Sequence, residues 1–449
     1  MMMDSQIRVF KYPNGEIQKV QTVHLNSWEE LNFLPMEYGD GALDCFAHIY
    51  RKFLVPAQPW VFGNMVMFHI PKGMEVPFSM KTGKYGTVAD PLTAAAAAME
   101  KGVRIIRGKP VFFDNKVKDF WNALEKADSL HVISGKLPVT TIIPVGDNTG
   151  YLSQTEHTAA MKVNASFFIM DRFDCSTIYD QVGTPLGLLV KDGVVKNPPL
   201  FEREGLIVRK DGSVTVEQPK LSDLKIEIGG IFYEHGKNAV IYSRPDRNRT
   251  PTRPGKKLVI IGNRVAAVCS GISAVIPTSG FVLCPAGECN ARPGDKVIYH
   301  GMEDVSFGIQ VGNSIIKNGV KTEKFISRFY NIKALERVPF PPSLYPLDFQ
   351  KARAARIALG ADEQGKPIIV WAEGAGKLEY TPGKDSCGAS LSEMAEICSA
   401  VGMVNAVNLD GGGSAQILLN NRRSLLISDR NAPQNTEAER PIPLGLMVR

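Results

Sequence analysis

Residues 390–419 read SLSEMAEICSAVGMVNAVNLDGGGSAQILL, and their punctuation is the clearest in the chain. Ser390-Leu391-Ser392-Glu393 is a capping box, in which the Ser390 hydroxyl and the Glu393 carboxylate satisfy the first free N–H groups of a helix. That helix runs through Met394, Ala395, Ile397 and Cys398 to Gly402, a natural left-handed stop. A strand, Asn405–Leu409, follows; then come Asp410-Gly411-Gly412-Gly413-Ser414 and a second strand, Ala415–Leu419. A hairpin turn needs one or two glycines, and three in a row cost extra backbone entropy. Their use is close approach: N–H groups converging on an anion, with Asp410 placing a carboxylate at the same spot. On local features alone, a flexible turn with a solvated aspartate accounts for the same residues.

Upstream, β-rich runs alternate with turn signals. Leu186–Lys191 precedes Asp192-Gly193, Leu206–Arg209 precedes Asp211-Gly212, and Ile315–Lys317 precedes Asn318-Gly319; Leu258–Ile261 and Lys296–Tyr299 are further runs. Asp-Gly and Asn-Gly between apolar runs predict tight hairpins, because both central residues take positive φ. Ser243–Lys257 and Pro339–Pro346 are proline-broken loops. Helices are expected over Ala94–Ala98, over Lys116–Lys126, and from near Asp348, the last carrying Arg353 and Arg356. The expected fold class is therefore α+β: largely antiparallel, twisted mixed sheets with flanking helices, plus an N-terminal extension. Residues 1–137 carry no motif and form that extension or a small domain; residues 138–449 carry the readable pattern.

The 449 residues are 44% hydrophobic and 22% charged, which is globular composition and excludes a disordered or fibrous chain. Basic residues exceed acidic ones by 52 − 46 = +6, an excess that suits an anionic ligand and falls short of a nucleic-acid binder. Met1–Gln6 lacks the apolar core of a secretory signal, and no later run is long enough to span a membrane, so a cytoplasmic location is expected. The seven cysteines are scattered without C-x-x-C spacing, which points to free thiols and not to a zinc site.

The string Ala406–Ser414 closely resembles the hallmark of the phosphodiester glycosidase family. Other pieces match in family order. Val163-Asn164-Ala165-Ser166-Phe167-Phe168 resembles an Asn-Gly-x-Phe-Phe segment, with Ala165 and Ser166 as departures. Thr184-Pro185-Leu186-Gly187 and Gly308-Ile309-Gln310-Val311-Gly312 resemble the segments leading into two hairpins. Arg356–Gly360, Gly388–Glu393 and Glu439-Arg440-Pro441-Ile442-Pro443 are similar to three further family motifs. Glu373 stands where relatives often carry aspartate. The resemblance spans 138–449 and implies hydrolysis of the anomeric C–O bond of a sugar-1-phosphodiester, of the alpha-N-acetylglucosamine-1-phosphodiester type.

That reaction passes through an oxocarbenium-like transition state, positive at the sugar and more negative on the departing phosphate. A carboxylate stabilises the first charge; arginines and backbone N–H groups stabilise the second. On this basis Asp410 is the leading candidate for nucleophile or base, with Glu373 and Glu393 as candidate second carboxylates. Gly411, Gly412, Gly413 and Ser414 would donate to phosphate or sugar, and Arg356 and Arg440 would clamp the phosphate. Asn164, Gln310 and Asn408 complete the substrate-binding set, and Asn164 reads equally as a turn residue. No spacing demonstrates a metal site, and the chemistry requires no cofactor; a divalent ion held by Asp410 and another acid is the alternative. The expected ligand is a small or polymeric sugar phosphate, with no nucleic-acid or membrane partner. A phosphodiesterase cutting P–O on the same scaffold and a non-catalytic carbohydrate-binding protein are the competing readings.

Overall fold

A computed structural model of the chain describes residues 4–35, short strands between residues 60 and 144, and residues 150–449 apart from 156–157, 170–182, 201–202, 245–246, 248, 271–272, 326–351, 377–379, 431–438 and 441. The fold corrects the expected α+β class. Its described residues are mostly β, in several antiparallel sheets, with little helix. Among the described residues the one α-helix is Leu391–Ala400, capped by Ser390 as its capping box predicts. The helices expected over Ala94–Ala98 and Lys116–Lys126 lie outside the described residues. The helix expected to carry Arg353 and Arg356 is absent there: Ala354 bridges Ala389, and Arg356 opens the strand Arg356–Ala361. A two-residue period wins at this place. Ile357 and Leu359 face the main core while Ala358 faces the helix.

The strand Arg356–Ala361 lies at the centre of a seven-stranded antiparallel sheet. Its order is Asp4–Lys11, Ile17–His24, Pro367–Ala372, Arg356–Ala361, Asn405–Asn408, Ser314–Lys317, Val320–Lys321. Both faces of the middle strands are buried. Val370, Ile368 and Ala406 pack under the helix residues Met394, Ile397 and Cys398. The alternate residues Ile369, Trp371 and Val407 join the large core shared with the other sheets. A run such as Pro367-Ile-Ile-Val-Trp-Ala372 has no polar face because neither face meets water. Sheets replace the expected flanking helices on that second side.

A four-stranded sheet, Leu31–Pro35, Leu444–Val448, Met161–Asn164, Ile417–Leu419, and a five-stranded one around Val305–Gln310 complete this core. Residues 4–35, read from sequence as part of an extension, thus supply strands to two sheets. Trp28 fixes them further, donating from Nε1 to Gly365 O at 2.8 Å and stacking on Phe307. The predicted hairpins form where Asp192-Gly193 and Asn318-Gly319 take positive φ at both residues. At Asp211-Gly212 only the glycine does.

Candidate active site

Three glycines sit at the exit of the strand Asn405–Asn408, and each is there for a different reason. A Cβ on Gly411 would lie 2.7 Å from Ala355 O and 3.8 Å from Arg356 Cα, so this residue presses on the strand carrying Arg356. Gly412 takes φ +58 and faces open space, while its N–H donates to Ala355 O at 2.8 Å. A Cβ on Gly413 would collide with Asp429 Oδ2 at 2.1 Å and Arg440 Nη2 at 2.3 Å. Asp429 and Arg440 form an ion pair, Nη2 to Oδ2 2.8 Å and Nε to Oδ2 3.0 Å. The fold therefore brings Asp410, the triple glycine and Arg440 to one place, with the backbone of Arg356 beneath.

Asp410 is almost fully buried. Its Oδ1 accepts the Gly411 N–H at 2.9 Å, and its own N–H donates to Ala165 O at 3.0 Å. Asn164 holds the same corner from the strand Met161–Asn164. It donates from Nδ2 to Asp410 O at 2.6 Å and accepts the Gln416 N–H on Oδ1 at 2.9 Å. Both ends of its amide are thus bound to backbone on either side of the glycines. Asn408 lies wholly buried, its carbonyl accepting Gly312 N–H at 2.9 Å and its N–H donating to Asn313 O at 2.8 Å. Ser414 is buried with its Oγ unpaired, in a short turn closed by Ala415 N–H to Gly412 O.

The remaining sequence candidates occupy supporting positions. Arg356 donates from Nε to Ala389 O and from Nη2 to Ala352 O, both at 3.1 Å. Gln310 bridges two strands' ends, accepting Leu188 N–H at 3.1 Å and donating to Arg203 O at 2.7 Å. Glu373 is buried, accepting from Ser386 Oγ at 2.5 Å and Leu426 N–H at 2.8 Å, with Lys19 Nζ 3.9 Å away.

Glu393 caps the helix, accepting Ser390 N–H at 2.8 Å, and takes two hydrogen bonds on Oε1 from Arg353, at 3.0 and 2.6 Å. Arg353 also pairs with Glu16 and lies over the Tyr12 ring, which ties the N-terminal hairpin to the helix start. Burial penalises the Glu393 charge, but the hydrogen bonds from Arg353 and Ser390 outweigh it and hold the carboxyl below its ordinary value. A carboxyl lowered in the folded state adds stability above its unfolded pKa and loses it as pH falls through the folded value. Glu393→Gln is therefore expected to lower the unfolding temperature at neutral pH, with the gap to the parent closing below about pH 4. A gap that stays constant across that titration would rule the carboxylate out as the source.

Sequence reasoning missed Asp429, Arg423 and the pairing of Glu439. Arg423 donates to Gln416 Oε1 at 3.0 Å and to Glu439 Oε2 at 2.6 Å, and Glu439 also accepts Ser153 N–H at 3.0 Å. The sole sequence signal was the Glu439-Arg440 pair; Asp429, just after the apolar run 425–427, matches no motif. No group of three or more His, Cys, Asp or Glu side chains able to hold a metal occurs among the described residues.

Comparison with known proteins places residues 270–449 in a match to the family described as phosphodiester glycosidase. A mouse N-acetylglucosamine-1-phosphodiester alpha-N-acetylglucosaminidase is 38% identical over 81 residues, 18% of this chain and 14% of that protein. The bovine protein of the same name is 26% identical over 183 residues, 34% of this chain and 33% of its own length. The matches thus span about a third or less of these relatives. Among solved structures, the zebrafish N-acetylglucosamine-1-phosphodiester alpha-N-acetylglucosaminidase catalytic domain, described as auto-inhibited by pro-peptide, aligns at TM-score 0.36 and 12% identity, covering 100% of this chain and 83% of that one. A putative exported protein from Burkholderia pseudomallei aligns at TM-score 0.43 and 15% identity, covering 100% and 97%.

Proposed function

We propose, from the match of residues 270–449 to the phosphodiester glycosidase family, that this chain hydrolyses the anomeric C–O bond of a sugar-1-phosphodiester, of the alpha-N-acetylglucosamine type, releasing the sugar and a phosphomonoester. The observation that carries the reading is the convergence of Asp410, the glycine corner and the Arg440–Asp429 pair. Asp410 supplies the carboxylate at the anomeric carbon, as nucleophile or as the base that takes a proton from water. The C1–O bond breaks as the new C1–O bond forms, and the bonding pair leaves on the phosphate. A phosphomonoester is a good leaving group, so its departure needs charge stabilisation more than full protonation. Arg440 provides that stabilisation beside the Gly411–Gly413 backbone. Arg356, whose guanidinium donates to two carbonyls, acts by setting the strand on which Gly411 rests.

Hydrolysis in oxygen-18 water tests the bond cleaved. Label is expected in the released sugar; label in the phosphomonoester would mean P–O cleavage and remove the glycosidase reading.

A further inference from the structure

The excess positive charge of the whole chain resides in one segment. Residues 239–296 hold nine lysines and arginines against three acids, a net +6, which equals the net charge of all 449 residues. The rest of the molecule is neutral in sum. This segment contains the four-stranded sheet Ala239–Ser243, Gly280–Pro285, Lys256–Ile261, Arg264–Ser270, with its own small core around Val259, Ala266 and Val282.

The charges are laid out along it. Between the Ser243 end of the sheet and its Lys256 end, Arg249 bridges Val275. Arg247, Arg249, Arg253 and Lys256 are exposed in that stretch, and Arg292 and Lys296 are exposed where Lys296 bridges Arg264. None of these six makes a salt bridge among the described residues. With strands of six residues, the stripe extends on the order of 20 Å. One end abuts the catalytic core: a Cβ on Gly262, in the turn before Arg264, would lie 3.6 Å from Asn197 Oδ1, and Asn197 donates to Gly187 O at 2.6 Å. Gly187 in turn packs on Gln310 O, two residues from the Gly312 N–H that donates to Asn408 O.

We infer that this basic stripe docks an extended, phosphodiester-linked glycan polymer, so that the chain's substrate is a polyanion several repeats long. This rests on the sugar-phosphodiester reading above for the chemistry of the polymer. Arg249 donates to Ser273 Oγ at 3.2 Å, Lys256 to Cys289 O, and Arg247 lies over Tyr242, but no carboxylate among the described residues neutralises any of the six. A row of exposed, un-neutralised cations over such a length suits a ligand with regularly spaced anionic charges, and a single diester offers one. Nucleic acid fits less well, because single strands bind by stacking bases on aromatic rings. Of the segment's two aromatics, Phe281 is fully buried and Tyr242 already carries Arg247 over its ring.

The test compares the full chain with Arg247→Gln/Arg249→Gln/Arg253→Gln/Lys256→Gln and, separately, with Arg292→Gln/Lys296→Gln. Binding is measured in an Asp410→Asn background, so that it is read whether or not the chain hydrolyses anything. The probes are a phosphodiester-linked polysaccharide, its single-repeat diester and an oligothymidylate of equal charge. At about 0.1 M salt, the fourfold variant is expected to lose about tenfold or more in affinity for the polysaccharide, and the affinity of both chains to fall steeply with added salt. In the Asp410 background, KM for the single-repeat diester is expected to stay unchanged. Polysaccharide affinity within twofold of the parent in both folded variants would overturn the proposal. Oligothymidylate binding as tight as the polysaccharide would replace it with a nucleic-acid surface. Polysaccharide binding without turnover of any diester would sink the glycosidase reading and leave the docking surface standing.

Discussion

The Asp410→Asn chain is expected to turn over a sugar-1-phosphodiester more slowly than the parent by a factor on the order of a thousand, with almost no change in unfolding temperature. The two halves of that result come from different atoms. An asparagine keeps an oxygen for the Gly411 N–H that Asp410 Oδ1 accepts at 2.9 Å. The backbone bonds to Ala165 and Asn164 do not depend on the side chain at all. What is lost is one negative charge at a nearly buried position, where charge acts at short range in little water. Initial rates on the diester, with calorimetry on the same preparations, give both numbers. Residual activity above a tenth of the parent would exclude Asp410 from the chemistry, and a large fall in unfolding temperature would make any rate loss uninterpretable as catalysis.

Gly413→Ala is expected to cost about a hundredfold in turnover and about 1–3 kcal/mol in stability. The added methyl would sit 2.1 Å from Asp429 Oδ2 and 2.3 Å from Arg440 Nη2, so the ion pair must move. Arg440 is the guanidinium assigned to the departing phosphate, and displacement by about an ångström is enough to spoil such a contact. Gly412→Ala is the control. It meets nothing within 4 Å, and its φ of +58 adds only the strain of a left-handed alanine, about 1 kcal/mol. Equal losses of turnover from the two substitutions would show that the corner needs only backbone freedom and that the Arg440–Asp429 pair takes no part.

How far the sequence could be read depended on whether the signal was local. The capping box Ser390–Glu393, the stop at Gly402 and the strand before Asp410 are short-range patterns, and they form where read. The Asp-Gly and Asn-Gly hairpins are local too. The helix assigned to Arg353 and Arg356 was misread because alternating small and large residues suit both periods until the neighbouring strands are known. Gly360 shows what decides it: a Cβ there would meet Asn405 O at 2.1 Å, a contact between strands 45 residues apart. The flanking helices of the α+β expectation failed for the same reason, since nothing in Pro367–Ala372 says whether a helix or another sheet covers it. Within the site, Asp410, the glycines and Arg440 carried a pattern through family resemblance. Asp429 and Arg423 carried none; only the packing of Gly413 and the reach of Arg423 to Gln416 and Glu439 reveal them. Glu393 had its cap legible, while Arg353, its partner 40 residues earlier, was not.

The strand Ile17–His24 has a consequence for biosynthesis. Its central partner is Pro367–Ala372, and Gln18 reaches Glu373 across a separation of 355 residues. At ribosomal speeds of about 5–20 residues per second, the first strand waits on the order of twenty to seventy seconds before its mate emerges. Throughout that interval the ribbon Asp4–Lys11/Ile17–His24 has an open edge, the configuration in which nascent chains pair with the wrong neighbour. The same wiring governs how the protein can be cut: a fragment starting at residue 138 leaves Pro367–Ala372 and Leu444–Val448 each with one side unzipped. Recombinant work on a fragment starting at residue 138 thus needs the first 35 residues supplied, in the same chain or as a peptide added in trans.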